Sequence, residues 1–186
     1  MTEFARLSDE ALSTLLHDES KRETAFRELY GRHKQRIYAY CVRVLGDSAA
    51  AEDIFQETFV RFFDAAKTDR TMTNVAAFLL RIARNLCLNH KRDSKPTLTL
   101  EDYDIPYKPL EYGSSELLRL ITTALELLDY DHREAFVLRK YDGMSFLEIA
   151  EITNTTETNA RSRVHRAQAK IREILAPYLA DIDQHL

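Results

Sequence analysis

Basic side chains are concentrated on one stretch near the end of the chain. Residues 153–172 contain five lysines and arginines and one acidic residue, whereas the 186-residue chain has a net charge of −4. If Ala160, Val164 and Ala167 face inward, the helical repeat turns a polar set outward. That set comprises Arg161, Ser162, Arg163, His165, Arg166 and Lys170. Because guanidinium groups bond phosphates and guanine edges, this face is predicted to bind nucleic acid.

The segment before this basic stretch has the pattern of a short helix and a turn. Ser145 is followed three residues later by Glu148, which is the pattern of a capping box. About two helical turns then lead to a polar turn at 153–155, after which the basic helix begins. A short helix, a tight turn and a longer helix predict a helix-turn-helix that places the second helix in a DNA major groove.

A helix predicted over 47–65 has the opposite charge. Residues 47–57 contain four carboxylates and no lysine or arginine. With Ala51 and Ile54 inward, the outward set comprises Asp53, Gln56, Glu57 and Val60. An exposed valine among carboxylates favours a protein contact with a basic partner, although such a face also serves ordinary solubility.

The next predicted helix, from Asn74 to residue 92, carries a second basic stripe. With Val75, Leu79, Ile82 and Leu86 inward, the polar set turns outward. It comprises Arg81, Arg84, Asn85, Asn89 and Arg92. The amides could bond base edges, and the preceding polar loop is long enough to fold over an extruded base.

Helical periodicity continues through almost the whole chain, and glycine and proline number only four each. The predicted fold class is therefore all-α. Three of the four prolines and five acidic residues fall within 93–113, which predicts an irregular acidic linker. We expect two small helical domains, 1–92 and 114–186, of which the second contains the helix-turn-helix.

Helix ends are predicted from capping residues. Gly46 is expected to end a long helix in the left-handed conformation, and a capping box is expected at Ser20 with Glu23. The other expected N-caps are Ser8, Asp47, Asn74 and Asp131.

Several classes of protein are disfavoured by the sequence. Two isolated cysteines and six scattered histidines form no recognised metal or catalytic motif, so an enzyme, a cofactor and a metal site are not expected. No apolar run is long enough to span a membrane, and the first residues lack the pattern of a signal peptide. We expect a cytoplasmic protein without membrane insertion.

Both halves resemble the extracytoplasmic-function (ECF) family of bacterial RNA polymerase sigma factors. In the first half the matching runs are AEDIFQETFVR at 51–61 and FLLRIARN at 78–85. In the second half they are REAFVLR at 133–139, GMS at 143–145, EIAE at 148–151 and ARSRVHRA at 160–167. The resemblance covers roughly residues 22–92 and 114–176.

The resemblance implies a transcription initiation factor that binds core RNA polymerase, through its β′ and β subunits, and promoter DNA. It assigns Asp53, Gln56 and Glu57 to a coiled coil of β′. It assigns Asn85 and Asn89 to the melted −10 element, and the basic helix of the second half to the −35 duplex. Many members of the family are held inactive by an anti-sigma factor, which is therefore a further expected partner.

The alternative is a stand-alone helix-turn-helix regulator whose first half is a dimerisation module. Such a protein is expected to bind a palindrome as a symmetric dimer without polymerase.

Overall fold

The computed structural model describes residues 3–67, 74–93 and 114–183, and every regular element within them is helical. The all-α prediction is thus confirmed. A short 3₁₀ helix, Glu3–Arg6, precedes eight α-helices. These are α1 Asp9–Leu15, α2 Arg22–Leu45, α3 Ser48–Ala66, α4 Val75–Asp93, α5 Ser114–Glu126, α6 Tyr130–Lys140, α7 Phe146–Thr153 and α8 Glu157–Asp183.

The chain divides into two compact units, Met1–Asp93 and Ser94–Leu186. The division falls at the start of the segment predicted to be a linker. The predicted linker itself, apart from residue 93, lies outside the described residues, as does most of the loop before α4.

Most of the predicted helix ends are confirmed. The side chains of Ser8, Asp47 and Asn74 accept hydrogen bonds from backbone amides in the first turns of α1, α3 and α4. Gly46 ends α2 with a φ of 75°, in the left-handed region where a residue with a Cβ would be strained.

The predicted caps of α2 and α6 are wrong. Ser20 does not cap α2, because its amide and hydroxyl both donate to the Asp18 carboxylate, and α2 begins after Lys21 without a side-chain cap. The N-cap of α6 is Asp129 rather than Asp131, again without a side-chain hydrogen bond. At α6 the neighbouring Asp129 takes the position assigned to Asp131. At α2 the Asp18 carboxylate accepts from Ser20, and Lys21 is the N-cap.

The first unit packs α2, α3 and α4 around a shared apolar core. Leu29, Ile37, Phe62 and Leu79 are completely buried there. Helix α4 is rotated from its predicted orientation. Its buried residues are Val75, Leu79, Leu80, Ala83 and Cys87, whereas Ile82 and Leu86 are half-buried.

In the second unit the inward face of α8 is the predicted one. Its buried residues are Ala160, Val164, Ala167, Ile171, Leu175 and Tyr178. The later turns of α8 pack on Ala124, Leu125 and Leu128 at the end of α5 and just beyond it. This packing leaves the opposite face of α8 to solvent, which fixes the orientation of its basic side chains.

Arg32 of α2 holds the N-terminal segment against the first unit. Its guanidinium donates to the carbonyls of Ala5 and Leu7 at 3.1 and 2.8 Å, and to the Asp9 carboxylate at 2.8 Å. His33 Nε2 lies 2.6 Å from the other Asp9 oxygen. Partial burial opposes ionisation of Asp9, but the hydrogen bonds from Arg32 and His33 outweigh burial and lower its pKa. The stability that Asp9 contributes is therefore present above about pH 4 and is lost as the pH falls through its folded-state pKa.

Arg32→Ala is expected to lower the free energy of unfolding of the first unit by about 1–3 kcal/mol, because several charge-assisted hydrogen bonds disappear together. Chemical denaturation of the full chain measures the change. Arg27→Ala is the matched control, since Arg27 lies on the same helix and, among the described residues, pairs with exposed Glu23 at 2.6 Å. Its loss is expected to cost less than about 0.5 kcal/mol. Equal costs for the two variants would contradict the role given to Arg32.

Candidate nucleic-acid interface and protein-docking face

The helix-turn-helix of the second unit is formed by α7, a short turn and α8. Ser145 and Glu148 form the predicted capping box, with each side chain bonded to the other residue's backbone amide. Asn154 ends α7 with a φ of 51°, a left-handed conformation that asparagine tolerates well. The Thr156 hydroxyl accepts from the Asn159 amide and so caps α8. The motif predicted from sequence is confirmed as a local structure.

The outward face of α8 presents the polar residues expected there. Arg161, His165 and Arg166 are exposed, and Ser162 is half-buried. Within the part of the chain that the structure describes, the side chains of His165 and Arg166 form no hydrogen bond or ion pair. Their donors are therefore available to an external partner.

Two other basic residues of α8 are engaged inside the unit. Arg163 Nη2 bonds Asp131 of α6 at 2.8 Å, and only 19% of the Arg163 side chain is exposed. Lys170 pairs with Glu173 at 2.9 Å. The predicted set of six residues is thus brought together on one helix, but Arg163 points toward α6 and Lys170 lies at the margin.

The exposed stripe on α4 contains four of the five predicted residues. Arg81, Asn85, Asn89 and Arg92 are exposed and follow one another at spacings of three or four residues. Arg84 is half-buried, and its Nε atom is buried. The rotation of α4 that buries Ala83 and Cys87 explains why Arg84 lies beside the stripe rather than within it.

The acidic face of α3 is exposed as predicted. Asp53 and Gln56 are exposed, and 56% of Val60 is exposed. Glu57 is half-buried and pairs with Arg61 at 2.7 Å. The spacing of 53, 56, 57 and 60 places all four on one side of the helix.

Next to this face lies an aromatic groove that the sequence analysis missed. It has a volume of about 640 Å³, and Gln56 and Val60 belong to both the acidic face and the groove. Five rings from two helices line it: Phe26 and Tyr30 of α2, and Phe55, Phe59 and Phe63 of α3.

The rings support one another and are bordered by charge. The ring centroids of Phe26 and Phe63 lie 5.0 Å apart, and those of Tyr30 and Phe59 lie 4.8 Å apart. Glu19 and Glu23 border the groove together with Arg22. The signal in the sequence is an aromatic residue at 26 and 30, and again at 55, 59 and 63, which is helical spacing on both elements.

The remaining features of the described residues add no further site. Among them, no cluster of three or more histidine, cysteine or acidic side chains could hold a metal ion. Likewise, none of the helices within the described ranges combines the length and the apolar character needed to cross a bilayer.

A helix-turn-helix unit with an exposed basic helix, together with a helical unit that has an acidic and aromatic face, defines a DNA-binding transcription factor with a protein-docking module. The sequence matches the family model of sigma-70 region 2 over residues 29–97 and that of sigma-70 region 4 over residues 118–171. The chain belongs to the ECF family of RNA polymerase sigma factors and is a promoter-directing transcription initiation factor. The alternative of a stand-alone regulator is not favoured.

Similar proteins come from several bacteria. The RNA polymerase sigma factor CarQ of Myxococcus xanthus is 34% identical over 157 residues, with 82% of this chain and 90% of CarQ covered. The ECF sigma factor SigE of Mycolicibacterium smegmatis is 30% identical over 194 residues, with 98% of this chain and 75% of SigE covered.

Two solved structures share the fold. One is CnrH in complex with the cytosolic domain of CnrY, with a TM-score of 0.67, 25% identity, and 91% of this chain and 97% of CnrH covered. The other is the sigma factor RpoE with the anti-sigma factor NepR from Bartonella quintana. Its TM-score is 0.66 at 25% identity, with 81% of this chain and 96% of RpoE covered.

Proposed function

We propose that the chain is a non-catalytic specificity subunit with a division of labour between its two units. Residues 1–92 form the region 2-like domain that binds core polymerase and the melted −10 element. Residues 114–186 form the region 4-like domain that reads the −35 duplex, and 93–113 connect the two. This proposal rests on the opposite charges of the two exposed faces: the face of α3 is acidic and the face of α8 is basic.

Core polymerase docks on the acidic face of α3 through Asp53, Gln56, Glu57 and Val60. An exposed apolar centre with carboxylates around it suits a partner whose apolar side chains are flanked by lysines or arginines. The adjoining aromatic groove enlarges the apolar area available to that partner. We therefore include the half-buried Phe55 and Phe63 at the margin of the docking surface.

Melted −10 DNA binds along α4, where Arg81, Asn85, Asn89 and Arg92 form a continuous exposed stripe. The arginines supply charge for the phosphates, and the amides supply donors and acceptors for the edges of unstacked bases. Arg84 lies at the edge of the stripe, and its partial burial suits a role in holding the phosphate backbone. This arrangement captures single-stranded DNA and so helps to open the duplex.

The −35 duplex binds the outward face of α8. Arg161, Ser162, His165 and Arg166 are placed to reach base edges or phosphates in the major groove. Arg163 and Lys170 lie at the margin of this face. Because each is already paired with a carboxylate, each must exchange that partner for a DNA phosphate in order to contribute.

An anti-sigma factor is a further proposed partner, because the similar sigma factor RpoE has been solved in complex with the anti-sigma factor NepR. The proposed site of action is the cytoplasm, where polymerase and promoters meet.

Transcription reconstituted from purified components tests the proposal. The full chain and core polymerase are incubated with fragments of genomic DNA, and the 5′ ends of the transcripts are mapped. We expect initiation at a limited set of positions that share two upstream sequence elements, and no such transcripts from core alone. Transcripts whose start sites are the same with and without the chain would contradict the proposal.

A further inference from the structure

The guanidinium of Arg161 on α8 is held in place before any DNA is bound. Its Cζ lies 4.6 Å from the ring centroid of Phe146, the first residue of α7. Its Nη2 donates to Glu157 at 3.1 Å, one turn earlier on α8. Yet 54% of the Arg161 side chain is exposed, so the group is both fixed and accessible.

The Phe146 ring is itself fixed from a third helix. The Arg139 guanidinium of α6 lies 4.7 Å from the same ring centroid. Arg139 also donates from Nη1 to the Met144 carbonyl at 2.6 Å, just before the capping box of α7. One aromatic ring thus contacts cations from α6 and α8 while it belongs to α7.

We propose that Phe146 is a positioning residue for −35 recognition, which holds the Arg161 guanidinium in the orientation that reads a base pair. This inference rests on the proposed −35 role of Arg161. A guanidinium whose Cζ is held over an aromatic ring still presents N–H donors, and those donors can bond a guanine edge bidentately. Glu157 occupies one nitrogen and leaves the others available.

The expected gain in affinity is a lower entropy cost of ordering the long, flexible Arg161 side chain. Ordering such a side chain at an interface costs rotamer entropy, and the contact with Phe146 restricts the Arg161 rotamers before DNA binds, which lowers that cost. A phenylalanine used only for packing would not require either cation to lie against its ring.

Binding of the reconstituted holoenzyme to duplex DNA tests this role. The probe is a fluorescent duplex that the wild-type holoenzyme selects from a pool with a randomised upstream element. Phe146→Leu is expected to weaken binding about two- to fivefold, the range that an exposed cation–π contact supports. Phe146→Tyr keeps the ring and is expected to bind within about twofold of the wild type.

The decisive comparison is with Arg161→Ala. If Phe146 acts through Arg161, the double variant binds no more weakly than Arg161→Ala alone. If the two losses multiply, or if Phe146→Leu has no effect while Arg161→Ala weakens binding, Phe146 has no positioning role. If Arg161→Ala itself has no effect on duplex binding, the proposed role of Arg161 fails and this inference fails with it.

Base preference separates positioning from a loss of folding. Repeating the selection with the Phe146→Leu holoenzyme is expected to relax the preference at the same base pair that Arg161→Ala relaxes. A partly unfolded second unit would lower the amount of active holoenzyme and leave the preference unchanged, which would overturn the inference. Leu147→Ala is the matched control, because Leu147 is the next residue of α7 and 57% of it is exposed. It is expected to keep the wild-type preference.

Discussion

Val60→Asp is expected to weaken binding of the chain to core RNA polymerase by more than about thirtyfold, the effect of losing an interface hot spot. Val60 is a large apolar residue that is 56% exposed, and it belongs to both the acidic face and the aromatic groove. Burying a carboxylate at that point removes apolar contact and places an unpaired charge in the interface. Because Val60 is exposed in the free protein, the folding of the first unit should be almost unaffected.

Titration of labelled core polymerase with the full chain measures this affinity. Leu147→Asp is the matched control, because it introduces the same charge at a residue of nearly equal exposure, 57%, in the second unit. We expect it to change core affinity by less than about twofold. Asp53→Ala, as a separate single variant, is expected to weaken core affinity by a smaller factor of about three- to tenfold, because it removes one steering charge. Unchanged core affinity for Val60→Asp would show that the docking surface lies elsewhere.

Arg166→Ala is expected to reduce binding of the holoenzyme to its selected −35 duplex about five- to one hundredfold, the range for an arginine at a base edge. Arg166 is exposed at the middle of the outward face of α8, and no carboxylate within the described residues pairs with it. Its donors are therefore free to bond DNA without breaking an internal contact. Core affinity should not change, because the residue lies on the other unit.

Arg172→Ala provides a matched loss of charge on the same helix. Arg172 is also exposed, but it lies six residues along α8, away from the turn of the helix-turn-helix. We expect Arg172→Ala to weaken duplex binding by less than about threefold. We also expect it to change the salt dependence of binding less than Arg166→Ala does. If the two arginine variants lose the same affinity, Arg166 acts only through charge and does not read the duplex.

The fold class and the position of the helix-turn-helix could be predicted from the sequence because both depend on local, periodic signals. Ser145 and Glu148 are close in sequence, and the six buried residues of α8 repeat at helical spacing. Local spacing does not decide between two candidate cap residues that lie close together in the sequence. Lys21 is the N-cap of α2 where Ser20 was expected, and Asp129 is the N-cap of α6 where Asp131 was expected.

Features that depend on contacts between helices could not be derived from a single helix. The aromatic groove needs Phe26 and Tyr30 of α2 to meet three rings of α3, and no spacing rule within one helix specifies that meeting. The rotation of α4 follows from the burial of the small residues Ala83 and Cys87. A prediction from the pattern of large apolar residues instead places Ile82 and Leu86 inward. The pairing of Arg163 with Asp131, 32 residues away, is equally invisible to local patterns.

We propose that promoter recognition needs both units: one binds the polymerase, the other reads intact duplex, and neither suffices alone. A gel-shift titration of the selected promoter fragment with the full chain, in the presence and absence of core polymerase, tests this most directly. We expect weak binding without sequence preference by the free chain, and tight, promoter-specific binding once core is added. Equally tight and specific binding by the free chain, as a symmetric dimer on a palindrome, would contradict it.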